Sequence, residues 1–268
     1  MTILAPVVCD SERPDPSDRL HTQRWTVPKF IHQESLRHRL IYFMDFLRAE
    51  FEPDFSFSVS SSRAIPFERL AAEASDPALM AKPARWGLAQ PGMSPGEDEV
   101  DDTERSIFWP EAIWSLGLEL KEPLAAEWIT RRRCVEQLWE LGGKLDVKIA
   151  RAMVELTGVH KSIPNRQIES HVHVHCLATA TTRGWMNFFG LRLDKAADPT
   201  LRALAEESWR GWNESRPRKL EPGQWHLPFI DENIDVGEIL LYDAGPHLGR
   251  DSSYDEKSIK DILIKLSV

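Results

Sequence analysis

The sequence predicts an α+β fold, a mostly antiparallel sheet flanked by helices, and three observations carry that expectation. The stretch "HVHVHCLATATT" at 171–182 alternates as a strand does and runs straight into the helix-patterned "TRGWMNFFGLRL". "RWTVPKFIH" at 24–32 is rich in β-formers and feeds "SLRHRLIYFMDFLRAEF", where Leu36, Leu40, Phe43, Met44 and Leu47 recur at helical spacing. The middle third, from Glu104 to Leu156, returns to the helical period. With 268 residues and 42% hydrophobic content, the chain can bury a sizeable core.

Taken in order, residues 1–20 are rich in Pro and Asp after the first few and are expected to be loosely held, leaving 21–268 as a single domain. Pro66 suits the start of a helix beginning Phe67-Glu-Arg-Leu. From Ser75 to Asp102 four prolines (Pro77, Pro83, Pro91, Pro95) and the acidic "GEDEVDD" predict a long surface loop, in which "RWGLAQPGM" is the more ordered part. In the helical third, Trp109, Trp114, Trp128 and Trp139 read as core or interface anchors, and Gly142 and Gly143 are expected to break the run. Strand alternation puts His171, His173 and His175 on one face. With no carboxylate at supporting spacing, they are read as a polar sheet face or cofactor wall, and no metal site is expected. Further on, Met186, Phe189 and Leu193 have core spacing, while Arg183, Asn187 and roughly Arg192 can project together toward a pocket.

Composition narrows the function. A net charge of −9, from 33 Lys plus Arg against 42 Asp plus Glu, argues against a nucleic-acid-coating surface but allows a local site for a small anion. Three cysteines, at 9, 134 and 176, lack the spacing of a disulfide framework or zinc site, which fits a reducing cytoplasm. No basic leader and no long apolar run occurs, so neither export nor a membrane span is expected.

"FSVSSSRAIPF" at 57–67 poses the sharpest question. Its composition is that of a flexible connector. Its apolar residues Phe57, Val59, Ile65 and Phe67 instead suit a loop held rigid against a core. Backbone N–H groups, hydroxyls and a guanidinium near a helix start would make an anion cradle.

"RHR" at 37–39, the S-x-S-x-x-S-x-R pattern at 56–63 and "TTRGWMNFFGLR" at 181–192 together resemble the flavin-dependent thymidylate synthases. "PKFIHQE", "SSSRAIP", "WGLAQPGM", "HKSIPNR", "WMNFFGLR" and "GQWHLPFI" are similar to the family's divergent phage branch. The resemblance implies transfer of a one-carbon unit from methylenetetrahydrofolate to C5 of dUMP, with FAD-mediated reduction and NADPH recharging the flavin. It implies a homotetramer with active sites shared between subunits, and no cysteine nucleophile. By correspondence, Ser61, Arg63 and Arg192 are the catalytic candidates. Glu34, Ser61, Ser62, Arg63, Arg166 and Arg192 are the substrate-binding set, with Arg192 at the pyrimidine and Arg166 at the phosphate. Arg37, His38, Arg39, Arg183 and Asn187 are the positions expected to hold FAD.

The chain also departs from the family. Ser58 and Val59 stand where an Asn-Glu pair is usual, residues 40–55 separate "RHR" from the serine loop, and Ala196 replaces a flavin-facing histidine. The family's A-R-V-S and P-x-E-H segments are not found, so the expectation is either that a second polypeptide carries them as a partner or that the chain has lost them and its flavin site is incomplete. Two alternatives stay open: transfer of a hydroxymethyl group to dUMP, or a non-catalytic nucleotide-binding or assembly homologue that has lost flavin.

Overall fold

The computed structural model describes residues 3–12, 19–32, 34–35, 55–59, 65–90, 95, 98–117, 126–221, 224, 226 and 228. Seven strands are described: β1 (Val7–Glu12), β2 (Arg19–Pro28), β3 (Phe55–Val59), β4 (Arg105–Phe108), β5 (Trp128–Thr130), β6 (His173–Thr181) and β7 (Arg218–Lys219). The α-helices are α1 (Phe67–Ser75), α2 (Trp109–Trp114), α3 (Arg131–Thr157), α4 (Pro164–Gln167), α5 (Thr182–Arg192) and α6 (Pro199–Glu214). Five strands form an open sheet in the order β3-β6-β2-β1-β7, and β4 pairs with β5 apart from it.

The expected balance of strand and helix is overturned. Among the described residues helix makes up 48% and strand 22%, so the fold there is predominantly helical with an open sheet rather than a mostly antiparallel sheet with flanking helices. The physical reason lies in the cores. One apolar cluster does bury the sheet, joining Trp25, Val27, Val174, Cys176 and Ala178 to Trp185, Phe188 and Phe189 of α5 and Leu201 and Leu204 of α6. A second is largely helix on helix, with Leu70, Ala71 and Ala74 of α1 against Val147 and Ala150 of α3. A third gathers Trp109, Ile113, Ile129 and Cys134 around α2 and the start of α3.

Several elements differ from their sequence-based expectations. Val7–Glu12, within the stretch expected to be loosely held, forms β1, paired with β2 on one side and β7 on the other. Gly142 and Gly143 do not break the helix: α3 runs 27 residues, from a Thr130 cap that accepts from the Arg133 N–H to the left-handed Gly158. A Cβ on Gly143 would meet the Ala74 carbonyl oxygen at 2.4 Å, so this glycine permits close approach of α1 and α3. Trp109 is buried and Trp139 donates to the Ala81 carbonyl, while Trp114 and Trp128 are mostly exposed. In α5 the buried residues are Trp185, Phe188 and Phe189, and Met186 is exposed. Met80 and Ala81 are buried within the expected surface loop, and Leu88 and Val100 bond back across it to Asp98 and Trp86. The helix start at Phe67 is found, with Pro66 at the cap. The helix expected over Leu36, Leu40, Phe43, Met44 and Leu47 lies outside the described residues.

Candidate functional site

Antiparallel pairing on both sides of β6 makes β2 and β3 run the same way, so both end at the same edge of the sheet. Pro28 closes β2 opposite His173, and Val59 closes β3 opposite Cys176. Lys29, directly after β2, and Val59, at the end of β3, are therefore both placed beside the start of β6. After β2 the chain enters a 3-10 turn, Lys29–Ile31, held by the Lys29 N–H on the Val172 carbonyl at 2.9 Å. His32 and Glu34 follow.

At this edge α5 supplies its last residue. Arg192 Nη1 lies 3.7 Å from Glu34 Oε2, joining two candidates from motifs far apart in sequence. The Arg192 side chain is only 17% exposed, which strengthens the field of its guanidinium. The helix phase explains its placement: at about 100° per residue, Arg192 falls on nearly the same side as Trp185, the side that faces the sheet. Arg183 and Asn187 fall on the other side, where Arg183 is exposed and Asn187 half-buried. The three do not project together from one chain.

Arg166 is exposed on α4, whose buried neighbour Asn165 donates from Nδ2 to the Ile65 carbonyl at 3.1 Å. That bond ties the turn carrying Arg166 to the chain two residues beyond Arg63. Arg37, His38, Arg39, Ser61, Ser62 and Arg63 lie outside the described residues.

The three histidines are divided among separate partners. His171 belongs to the 3-10 turn before β6, buried against Trp139, with Nε2 3.2 Å from Asp146 Oδ2. His173 offers both its backbone N–H and its Nδ1 to Glu73 Oε1, at 2.6 and 2.9 Å. His175 contacts Thr26 Oγ1 at 3.0 Å. Only His173 and His175 share a strand face. Among the described residues no group of three or more His, Cys, Asp or Glu is placed to hold a metal.

Sequence reasoning missed His32 and His226. His32 is buried beside Glu34 and its Nε2 has no hydrogen-bond partner among the described residues. Burial, then Lys29 nearby, depresses its pKa, so it is neutral there and open to a polar ligand atom. Its place two residues before Glu34 was the available signal. His226, in "GQWHLPFI", is buried on the sheet, with Nε2 2.8 Å from Thr22 Oγ1 and Nδ1 3.0 Å from Ser11 Oγ. Neither Cys134 nor Cys176 is a ready nucleophile: burial pushes the first thiol up and the second to about 12. Among the described residues no helix is long and apolar enough to cross a membrane.

No protein-family model and no curated protein matches the chain. Solved structures resemble it weakly. Thymidylate Synthase X (ThyX) from Helicobacter pylori, with FAD and dUMP, is 14% identical with a TM-score of 0.38 over 72% of this chain and 67% of its own. A UMP/dUMP methylase, PolB from Streptomyces cacaoi bound with 5-Br UMP, is 12% identical with a TM-score of 0.44 over 80% of this chain and 89% of its own.

Proposed function

We propose that the chain is a flavin-dependent thymidylate synthase-like enzyme, transferring a one-carbon unit from methylenetetrahydrofolate to C5 of dUMP, with FAD-mediated reduction, to give dTMP. The observation that carries this reading is the Glu34–Arg192 pair at the sheet edge where β2 and β3 both end. It unites Glu34 of "PKFIHQE" with Arg192 of "WMNFFGLR" near the end of β3, an arrangement that supports binding of a nucleotide base.

Arg192 would stabilise negative charge developing on the pyrimidine, with Glu34 fixing the guanidinium's orientation. Ser61, Ser62 and Arg63 would clamp the phosphate, with Arg166 reaching it from α4. FAD, recharged by NADPH, would supply the hydride. On Arg183 and Asn187 it would lie across α5 from Arg192 of the same chain. Those two residues fit a flavin whose substrate is held by a neighbouring subunit, which accords with a homotetramer of shared sites. His38, Arg37 and Arg39 complete the proposed flavin set.

A second reading, a nucleotide-binding homologue without flavin, is favoured by Ala196, exposed in the turn after α5 where the family has a histidine. The decisive experiment purifies the chain, records flavin absorption, titrates dUMP, and analyses products with methylenetetrahydrofolate in the presence and absence of NADPH. Flavin-dependent dTMP is the expected result. A 5-hydroxymethyl product identifies the hydroxymethyltransferase, a colourless protein that binds dUMP supports the second reading, and failure to bind dUMP overturns all three.

A further inference from the structure

A cavity of about 350 Å³ opens between α1 and α3, at the small end of the roughly 300–1,000 Å³ range of ligand pockets. It shares no lining residue with the Glu34–Arg192 edge. Its wall is largely apolar, combining Leu141, Leu145 and Val147 of α3 with Ala71, Ala72 and Ser75 of α1, whose short side chains leave the space unfilled. The one hydroxyl there is already engaged, since Ser75 Oγ donates to the Ala71 carbonyl at 2.7 Å. Lys144 and Lys148 also line the cavity yet are exposed, which places their ammonium groups at its mouth.

The charges at that mouth are unbalanced. Arg151 is paired with Glu68, Nη2 to Oε2 at 2.7 Å. Glu140, one turn before Lys144, is held instead by Lys82, also at 2.7 Å. Among the described residues no carboxylate lies within ion-pair distance of Lys144 or Lys148, so two like charges four residues apart on one helix repel each other. In a chain of net charge −9, two unbalanced lysines above an apolar wall select an occupant with one anionic group on an apolar body. We propose that the cavity binds a free medium-chain carboxylate, its chain against Leu141, Leu145 and Val147 and its carboxylate between Lys144 and Lys148. Binding removes apolar surface from water and relieves the repulsion between the lysines. A neutral apolar molecule gains only the first, and an inorganic anion only the second.

Calorimetric titration of the full chain with octanoate tests the proposal, with octanol, octylammonium and acetate as comparisons. Saturable octanoate binding is expected, tighter than that of any of the three. The double variant Lys144→Gln, Lys148→Gln should weaken octanoate about tenfold, the range of two exposed ion pairs, with an unchanged circular dichroism spectrum. Ala72→Leu, which fills the cavity from an exposed position on α1, should abolish binding. If Ala72→Leu fails to fold, the lysine variant still decides, since exposed ammonium groups contribute little to the fold. Octanol binding as tightly as octanoate would overturn the proposal, as the mark of an apolar site alone; acetate doing so would reduce it to surface charge. An unchanged octanoate affinity in the lysine variant, or in a folded Ala72→Leu, would place the ligand elsewhere and also overturn it. So would a wild-type chain that shows no saturable octanoate binding at millimolar concentrations but sediments with phosphatidylglycerol vesicles, the outcome expected if these lysines meet a lipid surface instead.

Discussion

Arg192 and Arg183 carry the same charge nine residues apart on one helix, yet their surroundings give them different tasks. Arg192 is mostly buried and faces Glu34, whereas Arg183 is exposed on the far side of α5. Under the proposed function, Arg192→Ala should weaken dUMP binding by about 1.5–3 kcal/mol, the value of a charged hydrogen-bonding group, and Arg183→Ala should leave dUMP affinity unchanged while weakening FAD. Calorimetric titration of both variants decides this, and equal losses of dUMP affinity would contradict the division. The serine loop admits a parallel test: Arg63→Ala should also lower dUMP affinity by about 1.5–3 kcal/mol without unfolding the protein. If "SSSR" is only a connector, the titration will show no change.

At the scale of elements, Gly142 and Gly143 separate two roles that look identical in sequence. A Cβ on Gly143 would lie 2.4 Å from the Ala74 carbonyl oxygen and 2.5 Å from Met80 Cε, forcing α1 and α3 apart. Gly143→Ala should therefore destabilise the protein by about 1–3 kcal/mol, as overpacking does. On Gly142 the nearest atoms are those of the His171 ring, at 3.6 Å or more, ordinary van der Waals contact. Gly142→Ala should stabilise the helix by up to about 1 kcal/mol through propensity. Urea midpoints of the two variants moving in the same direction would refute this account. The case also shows what the sequence conceals. Local signals revealed the β6 strand, through its alternation, and the helix from Phe67, through Pro66 at its start. Whether a glycine pair ends a helix or seats a neighbour depends on α1, whose residues lie about seventy positions away. The Glu34–Arg192 meeting was approachable only through motif resemblance, and the separation of Arg183 from Arg192 required the helix phase to be fixed by the sheet. Polar residues on the buried side of β2, His21 and Gln23, gave no local hint that α6 would cover them.

Across the whole molecule, buried polar contacts lock β1, β2 and α6 into one unit. Arg19 donates to both oxygens of Asp10 at 2.7 and 2.6 Å, bonds the Trp212 carbonyl at 2.8 Å near the end of α6, and lies 4.0 Å above the Trp212 ring. Burial alone would raise the Asp10 carboxyl, but His21 and Arg19 beside it hold it well below the usual carboxylate range. On the other face of the sheet, burial lowers His226 to about 4, and burial also lowers His21. These groups set two windows of acid sensitivity. An unfolded histidine takes up its proton near its ordinary value of about 6.5, so as pH falls from there toward 4 the unfolded state binds more protons than the folded state and stability drops. For His226 the drop is on the order of 3 kcal/mol and is complete below its folded value. Asp10 acts later: its contribution is present above the ordinary aspartate value of about 3.9 and is lost only below it. Urea unfolding followed from pH 8 to pH 3 should thus show a first loss of stability between about 6.5 and 4, before the carboxylate loss. His226→Gln should be less stable at pH 8, having lost its fit to Thr22 and Ser11, yet show a shallower slope in that first window. A wild-type stability that is flat from pH 6.5 to 4, or a His226→Gln slope equal to the wild type, would show that the histidine is not held neutral in the fold.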